Sequence, residues 1–229
     1  ICTFVKVFNM KLATLTFLLL TISLFVQAQK NVVLTNARSF LNTLTPELKS
    51  KAQYALDDAE RFNWNFVPLE RKGLTFYDFS GKQRDAAMAL LKSSLSEQGY
   101  QKATAIVNLE NILKVVEKRG SDDRYRDPMN YHFWVFGTPD ETKPWGWRFE
   151  GHHVSLNFTL LNGEIVSSTP SFFGSNPGIV KEGDNKGMEV LKLETDLGFE
   201  LVNKLTQGQR STALISETAF PEIISGNSR

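Results

Sequence analysis

Hydrophobic spacing changes character at Pro128, and this change confines the chain to helices first and antiparallel strands after. Upstream, apolar residues recur at three- and four-residue intervals. Downstream they fall in short aromatic and β-branched runs separated by turn residues. The order predicts an α+β domain: N-terminal helices, including an antiparallel helix pair, packed on an antiparallel β meander and followed by a further helix.

In the first part, residues 33, 37, 40, 41 and 44 form one apolar stripe, predicting a helix over 32–44. A second helix is expected over 46–62, with Thr45 as cap and Pro46 in its first turn. Residues 73–79 read as a short extended or loop stretch. Ser80-Gly-Lys-Gln83 resembles a capping box and opens a helix to Ser96, with Gly99 as its stop. A further helix over 101–118 carries Ala105, Ile106, Leu109, Ile112, Leu113 and Val116, and pairs with the one before it.

In the second part, strands are predicted over 131–136, 147–160 and 164–168, with Asn162-Gly163 supplying a tight hairpin turn. Residues 172–187, rich in Gly, Ser, Asn and Pro, read as a long loop of the kind that borders binding sites. Helix returns over 188–205, with Met188, Leu191, Leu197, Leu201 and Leu205 as core candidates, and a last short helix is expected over 211–215.

The ends carry a separate message. Met10-Lys11, the apolar run 12–26 and Val26-Gln27-Ala28 have the order of a secretory signal peptide, cleaved after Ala28, with residues 1–9 as upstream read-through. The apolar run is shorter than the roughly 20 residues of a membrane span, so no stable membrane anchor is expected after cleavage. Cys2, the only cysteine, precedes Met10, which excludes disulfides, thiol catalysis and a lipid-attachment cysteine from the mature chain. A secreted or periplasmic protein follows. Cleavage removes Lys6 and Lys11 and no acid, lowering the formal charge of +1 by two. Such a chain has no polycation for a phosphate backbone, so nucleic acid is not expected as a partner.

Chemistry is concentrated between Trp145 and Thr159, which hold two of the three histidines. On one continuous strand, Arg148, Glu150 and His152 share a face, whereas Trp147, His153, Ser155 and Asn157 share the other, so the two histidines point apart unless a bulge at Gly151 re-aims one. Glu150 and His152 would then converge on an ion or a water. His132, on the preceding strand, and His153 would complete a divalent-metal set, with Arg148 neutralising substrate charge and Glu150 as ligand or general base. Catalytic candidates are therefore Glu150 and Arg148; metal candidates are His152, His153 and His132, for a divalent transition metal. Trp145, Trp147 and Asn157 are candidate ligand-binding residues. With Trp134, Phe172 and Phe173, the tryptophans would form a stacking wall for a sugar or another flat small molecule. Ser155 and Asn157 follow His153, but no acid is placed to complete a hydrolase triad, and no glycine-rich phosphate loop is present.

Gly146-Trp147-Arg148, Gly151-His152-His153-Val154-Ser155-Leu156-Asn157, Ser80-Gly-Lys-Gln-Arg84 and Leu95-Ser-Glu-Gln-Gly99 resemble the DUF3500 (domain of unknown function 3500) family over nearly all of the mature chain. The resemblance implies an exported bacterial protein and no particular reaction. It also implies that residues 30–229 are the N-terminal part of one incomplete domain, followed in other members by a histidine-rich second half that would supply further ligands. The expectation is an exported metal-dependent enzyme, a hydrolase or oxidoreductase. The alternatives are a non-catalytic secreted module for a small molecule or carbohydrate, and an envelope protein with a structural role.

Overall fold

The computed structural model describes residues 32–220 and 226–227, so the proposed signal segment lies outside the described residues. Helix α1 spans Val32–Thr43 and buries Val33, Leu34, Ala37, Phe40 and Leu41, the stripe read from the sequence. Helix α2 spans Pro46–Ala52, and Thr45 caps it by accepting from the Leu48 N–H at 3.3 Å.

The helix expected to continue to Phe62 ends at Ala52 because strand pairing takes over. Gln53 turns extended, and β1 (Gln53–Tyr54) pairs in parallel with Val135 and Phe136. The Gln53 side-chain amide donates to Gly137 O at 2.8 Å, and Gly137 N–H donates to Tyr54 O at 2.8 Å. A 3-10 turn follows at Ala59–Phe62, then β2 (Leu74–Thr75) and a second 3-10 turn at Phe76–Asp78.

Helix α3 (Gly81–Ser93) opens as expected, Ser80 N–H donating to Gln83 Oε1 at 2.8 Å. Gly99 stops nothing. It lies in the first turn of α4 (Glu97–Val116), where its N–H donates to the Ser96 cap, and the break between the helices falls at 94–96. α1 packs along α3, and α3 meets α4 much more sparingly.

The sheet is built on three strands: β3 (His132–Phe136), β4 (Trp145–Gly151) and β5 (Val154–Leu161), all antiparallel. β1 and β2 share the outer edge of β3, and β6 (Glu164–Ser167) and β7 (Ser171–Phe173) share that of β5. Asn162 and Gly163, at φ 54° and 73°, form the expected hairpin turn. The strand expected over 147–160 is two strands. Gly151 pairs with Val154, so His152-His153 is the turn of a hairpin, with His153 at φ 61°. Alternation along one strand therefore does not govern the histidines, and their ring centroids lie 4.0 Å apart.

Pairing assigns the two faces. Phe133, Val135, Trp145, Trp147, Phe149, Val154, Leu156, Phe158 and Leu160 belong to the main hydrophobic core with α1 and α3. Phe40 and Phe76 reach Phe133, at 5.9 and 5.6 Å between ring centroids, and Phe133 meets Phe149 at 4.9 Å. The other face carries His132, Glu150 and Ser155 in one row and Trp134, Arg148 and Asn157 in the next. It is covered by the segment around Glu60 and Arg71.

The last helices, α5 (Lys192–Lys204) and α6 (Gln207–Ala213), bury no residue. Leu197 and Leu201, expected in the core, are 53% and 65% exposed, whereas Leu191 packs partly against it. The helical period was legible, but α5 has no core beneath it. Among the described residues, no helix is long and apolar enough to cross a membrane.

The hairpin depends on a close approach. A Cβ at Gly151 would lie 2.4 Å from a ring carbon of the fully buried Tyr131, whereas one at Gly178 would touch nothing. Gly151→Ala should therefore lose about 1–3 kcal/mol or more in urea denaturation, with Gly178→Ala near neutral. Equal midpoints for the two variants would refute this account of the turn.

Candidate functional site

The polar face holds a chain of buried ions. Arg148 is fully buried, and its Nη2 donates to Glu60 Oε1 and its Nη1 to Glu60 O, each at 3.1 Å. Its Nε lies 3.6 Å from Glu150 Oε2, and its guanidinium carbon sits 4.1 Å from the Trp134 ring centroid. Glu150, equally buried, accepts from Arg71 Nε at 2.7 Å and from Ser155 Oγ at 2.9 Å. Arg71 spends its other donors on the carbonyls of Asn65, Val67 and Leu69. Two guanidiniums thus balance two carboxylates. Burial lowers the Arg148 pKa from its ordinary value, and Glu150 and Glu60 oppose that shift.

Beyond the end of this chain opens a cleft of about 490 Å³. Arg71, Glu110, Arg124, Tyr131, His132 and His152 are among the residues lining it. His132 Nδ1 lies 2.8 Å from Lys72 O; since a carbonyl only accepts, Nδ1 carries the proton and Nε2 keeps the lone pair. Burial pushes the His132 pKa down to about 4, against the Lys72 hydrogen bond. His152 Nδ1 meets Glu110 Oε1 at 2.5 Å, which again assigns the proton to Nδ1. Arg126 Nη1 stands over the same imidazole, 3.2 Å from His152 Nδ1 and 3.4 Å from Nε2, and Arg126 is itself held by Glu117 at 2.8 Å. The Tyr131 hydroxyl donates to His152 O at 2.7 Å and fixes the turn from below.

Of the residues singled out in the sequence, His132 and His152 reach the cleft wall. Glu150 pairs with His132 across the strands but has both oxygens engaged, and Arg148 lies deeper, on Glu60. His153 is not among the residues lining the cleft, although its ring lies beside that of His152; its N–H donates to Phe66 O and its carbonyl accepts from Gly174, each at 2.8 Å. Its Nδ1 is buried without a partner, and burial, with His152 and Arg126 nearby, pushes its pKa down to about 4. Trp145 and Trp147 lie in the core on the opposite face, Trp147 stacked 4.8 Å from Phe158, and Asn157 donates to Pro170 O at 2.9 Å. Among the described residues, no group of three His, Cys, Asp or Glu side chains is arranged to hold a metal ion.

Glu60, Arg71, Glu110 and Arg126 escaped sequence reasoning. Glu110 had a signal: it sits at helical spacing with Ala103, Ile106 and Leu113, an acid on the buried stripe of α4. Glu60 lies in a 3-10 turn and Arg71 and Arg126 in irregular segments, and Glu60 and Arg71 find their partners Arg148 and Glu150 far along the chain.

Two measurements check this site. Arg148→Met, which strips Glu60 of its cation and leaves Glu150 only Arg71, should cost about 3–5 kcal/mol in urea denaturation; a loss under about 1 kcal/mol would contradict the chain of compensation. The depressed His132 and His153 pKa values mean that the unfolded chain binds more protons between about pH 4 and 6.5. Stability is accordingly complete above about pH 6.5 and falls toward pH 4. His132→Gln should flatten that fall, and an unchanged slope would remove His132 from it.

No curated protein and no solved structure matches this chain. The family described as "Protein of unknown function (DUF3500)" matches residues 27–229, and with most of its length inside that match the chain belongs to the DUF3500 family.

Proposed function

We propose that the protein is an exported enzyme acting on a small polar molecule in the cleft, with His152 as its proton-transfer group and Glu110 as the residue that orients it. The carrying observation is the Glu110–His152 contact of 2.5 Å on the cleft wall. A carboxylate that takes Nδ1–H fixes the tautomer and leaves the lone pair on Nε2, which Arg126 Nη1, 3.4 Å away, must release for the imidazole to accept a proton from water or a substrate hydroxyl. Tyr131 and Gly151 support the same turn from the core side, which holds the imidazole in place. The residues before Gln29 support export by their order of charged start, apolar run and small-residue cleavage site. A mature N-terminus other than about Gln29 on the exported protein would remove that part.

A divalent-metal centre is the second reading, favoured because His132 and His152 both anchor Nδ1, to Lys72 O and Glu110, as metal-ligating histidines do. The remaining ligands would have to come from outside the groups described, and a cation on His152 Nε2 would require Arg126 to turn away.

Both readings are tested on the untagged protein with His152→Ala and Glu110→Gln. A panel of chromogenic esters, glycosides and phosphate monoesters should reveal a turnover that His152→Ala lowers at least about a hundredfold and Glu110→Gln about tenfold. Turnover indifferent to His152 sinks the proposal; ligand binding without turnover turns it into a binding module. Elemental analysis of the same proteins decides the second reading, with about one equivalent of transition metal expected in the parent and little in His152→Ala.

A further inference from the structure

The charge inventory of the cleft narrows its ligand. Arg71 is spent on Glu150 and three carbonyls. Glu110 is spent on His152, and Asp127 accepts from the Tyr77 hydroxyl and from the Met129 N–H at 2.8 Å. Arg124 differs. Its guanidinium carbon stacks 4.5 Å from the centroid of Tyr77, yet among the described residues no carboxylate lies within ion-pair distance of it. Stacking fixes the plane of a guanidinium and leaves its N–H edges free for a planar two-oxygen acceptor. The tyrosine beneath is held in turn by Asp127, so the cation stands on an anchored platform at the cleft rim.

We propose that the cleft takes a small molecule bearing a single carboxylate, which Arg124 grips in a bidentate pair while the body of the ligand extends toward His152. The inference rests on the reading of the cleft as a substrate site. One uncommitted guanidinium neutralises one negative charge. A phosphate dianion would bring twice that charge toward Glu70, Glu110 and Asp127, and among the described lining residues no second cation stands free of a carboxylate to balance it, so the lining favours a monoanion. The volume of about 490 Å³ suits a metabolite-sized acid.

Calorimetry with acetate, lactate, gluconate and benzoate, against inorganic phosphate and the neutral benzamide, tests this on the parent, Arg124→Gln and Arg124→Lys. At least one monocarboxylate should bind the parent, at least tenfold more weakly to Arg124→Gln, with partial recovery in Arg124→Lys and no binding of benzamide. Because Arg124 is exposed and, among the described residues, ion-pair free, urea midpoints of the variants should stay close to the parent's, lower only by the lost stacking on Tyr77. Failure of every monocarboxylate, binding indifferent to Arg124, or tighter binding of phosphate overturns the proposal. The two readings fail separately: Arg124-dependent binding with turnover indifferent to His152 leaves the carboxylate site standing and removes the base.

Discussion

The structure depends on compensating charge where no water reaches. Arg148 and Glu150 occupy the middle of the sheet's second face, each fully buried, and neither would be tolerated there alone. Glu60 and Arg71 reach in from the covering segment to balance them. The ion chain seats that segment on the sheet together with Phe66, which stacks 4.1 Å from Phe172. The same contacts place the wall of the cleft: Arg71 gathers the carbonyls of residues 65, 67 and 69 around its guanidinium and carries Pro68 and Leu69 into the lining.

The two faces thus divide the labour. Aromatic packing between Phe40, Phe76, Phe133 and Phe149 joins helices to sheet and needs no directional partner. The polar face supplies direction, because each of its bonds has a fixed geometry. The cleft opens where the polar row His132–Glu150 ends and the β4–β5 turn begins. His152 is therefore held at its backbone while its side chain lines the cleft.

Much of this was legible in the sequence where the signal was local and periodic. The stripe of α1, the capping box at Ser80 and the Asn162-Gly163 turn each draw on residues within one or two turns of each other, and each appears as expected. What failed was non-local or ambiguous. Residues 53–54 lie inside the helical apolar pattern of Leu48, Ala52, Ala55, Leu56 and Ala59, and only pairing with Val135 and Phe136 makes them a strand. His152-His153 lacks the glycine or asparagine that announces a tight turn, so the segment read as one strand and the histidines were assigned to opposite faces. His132 and His152, which both line the cleft, were nonetheless singled out from the clustering of ionisable residues and strand spacing. Their partners were not, because Glu110 and Lys72 come from parts of the chain 42 and 60 residues away.

The β4–β5 hairpin also limits how the chain can vary. Gly151 faces Val154 across only two residues, so gaining or losing one residue at the turn would rotate β5 by half its period. Ser155 and Asn157 would then face the aromatic core, and Leu156 and Phe158 would land among the buried ions. Single-residue indels at this turn are closed to the protein, and its chemistry there diversifies by exchanging side chains at fixed length.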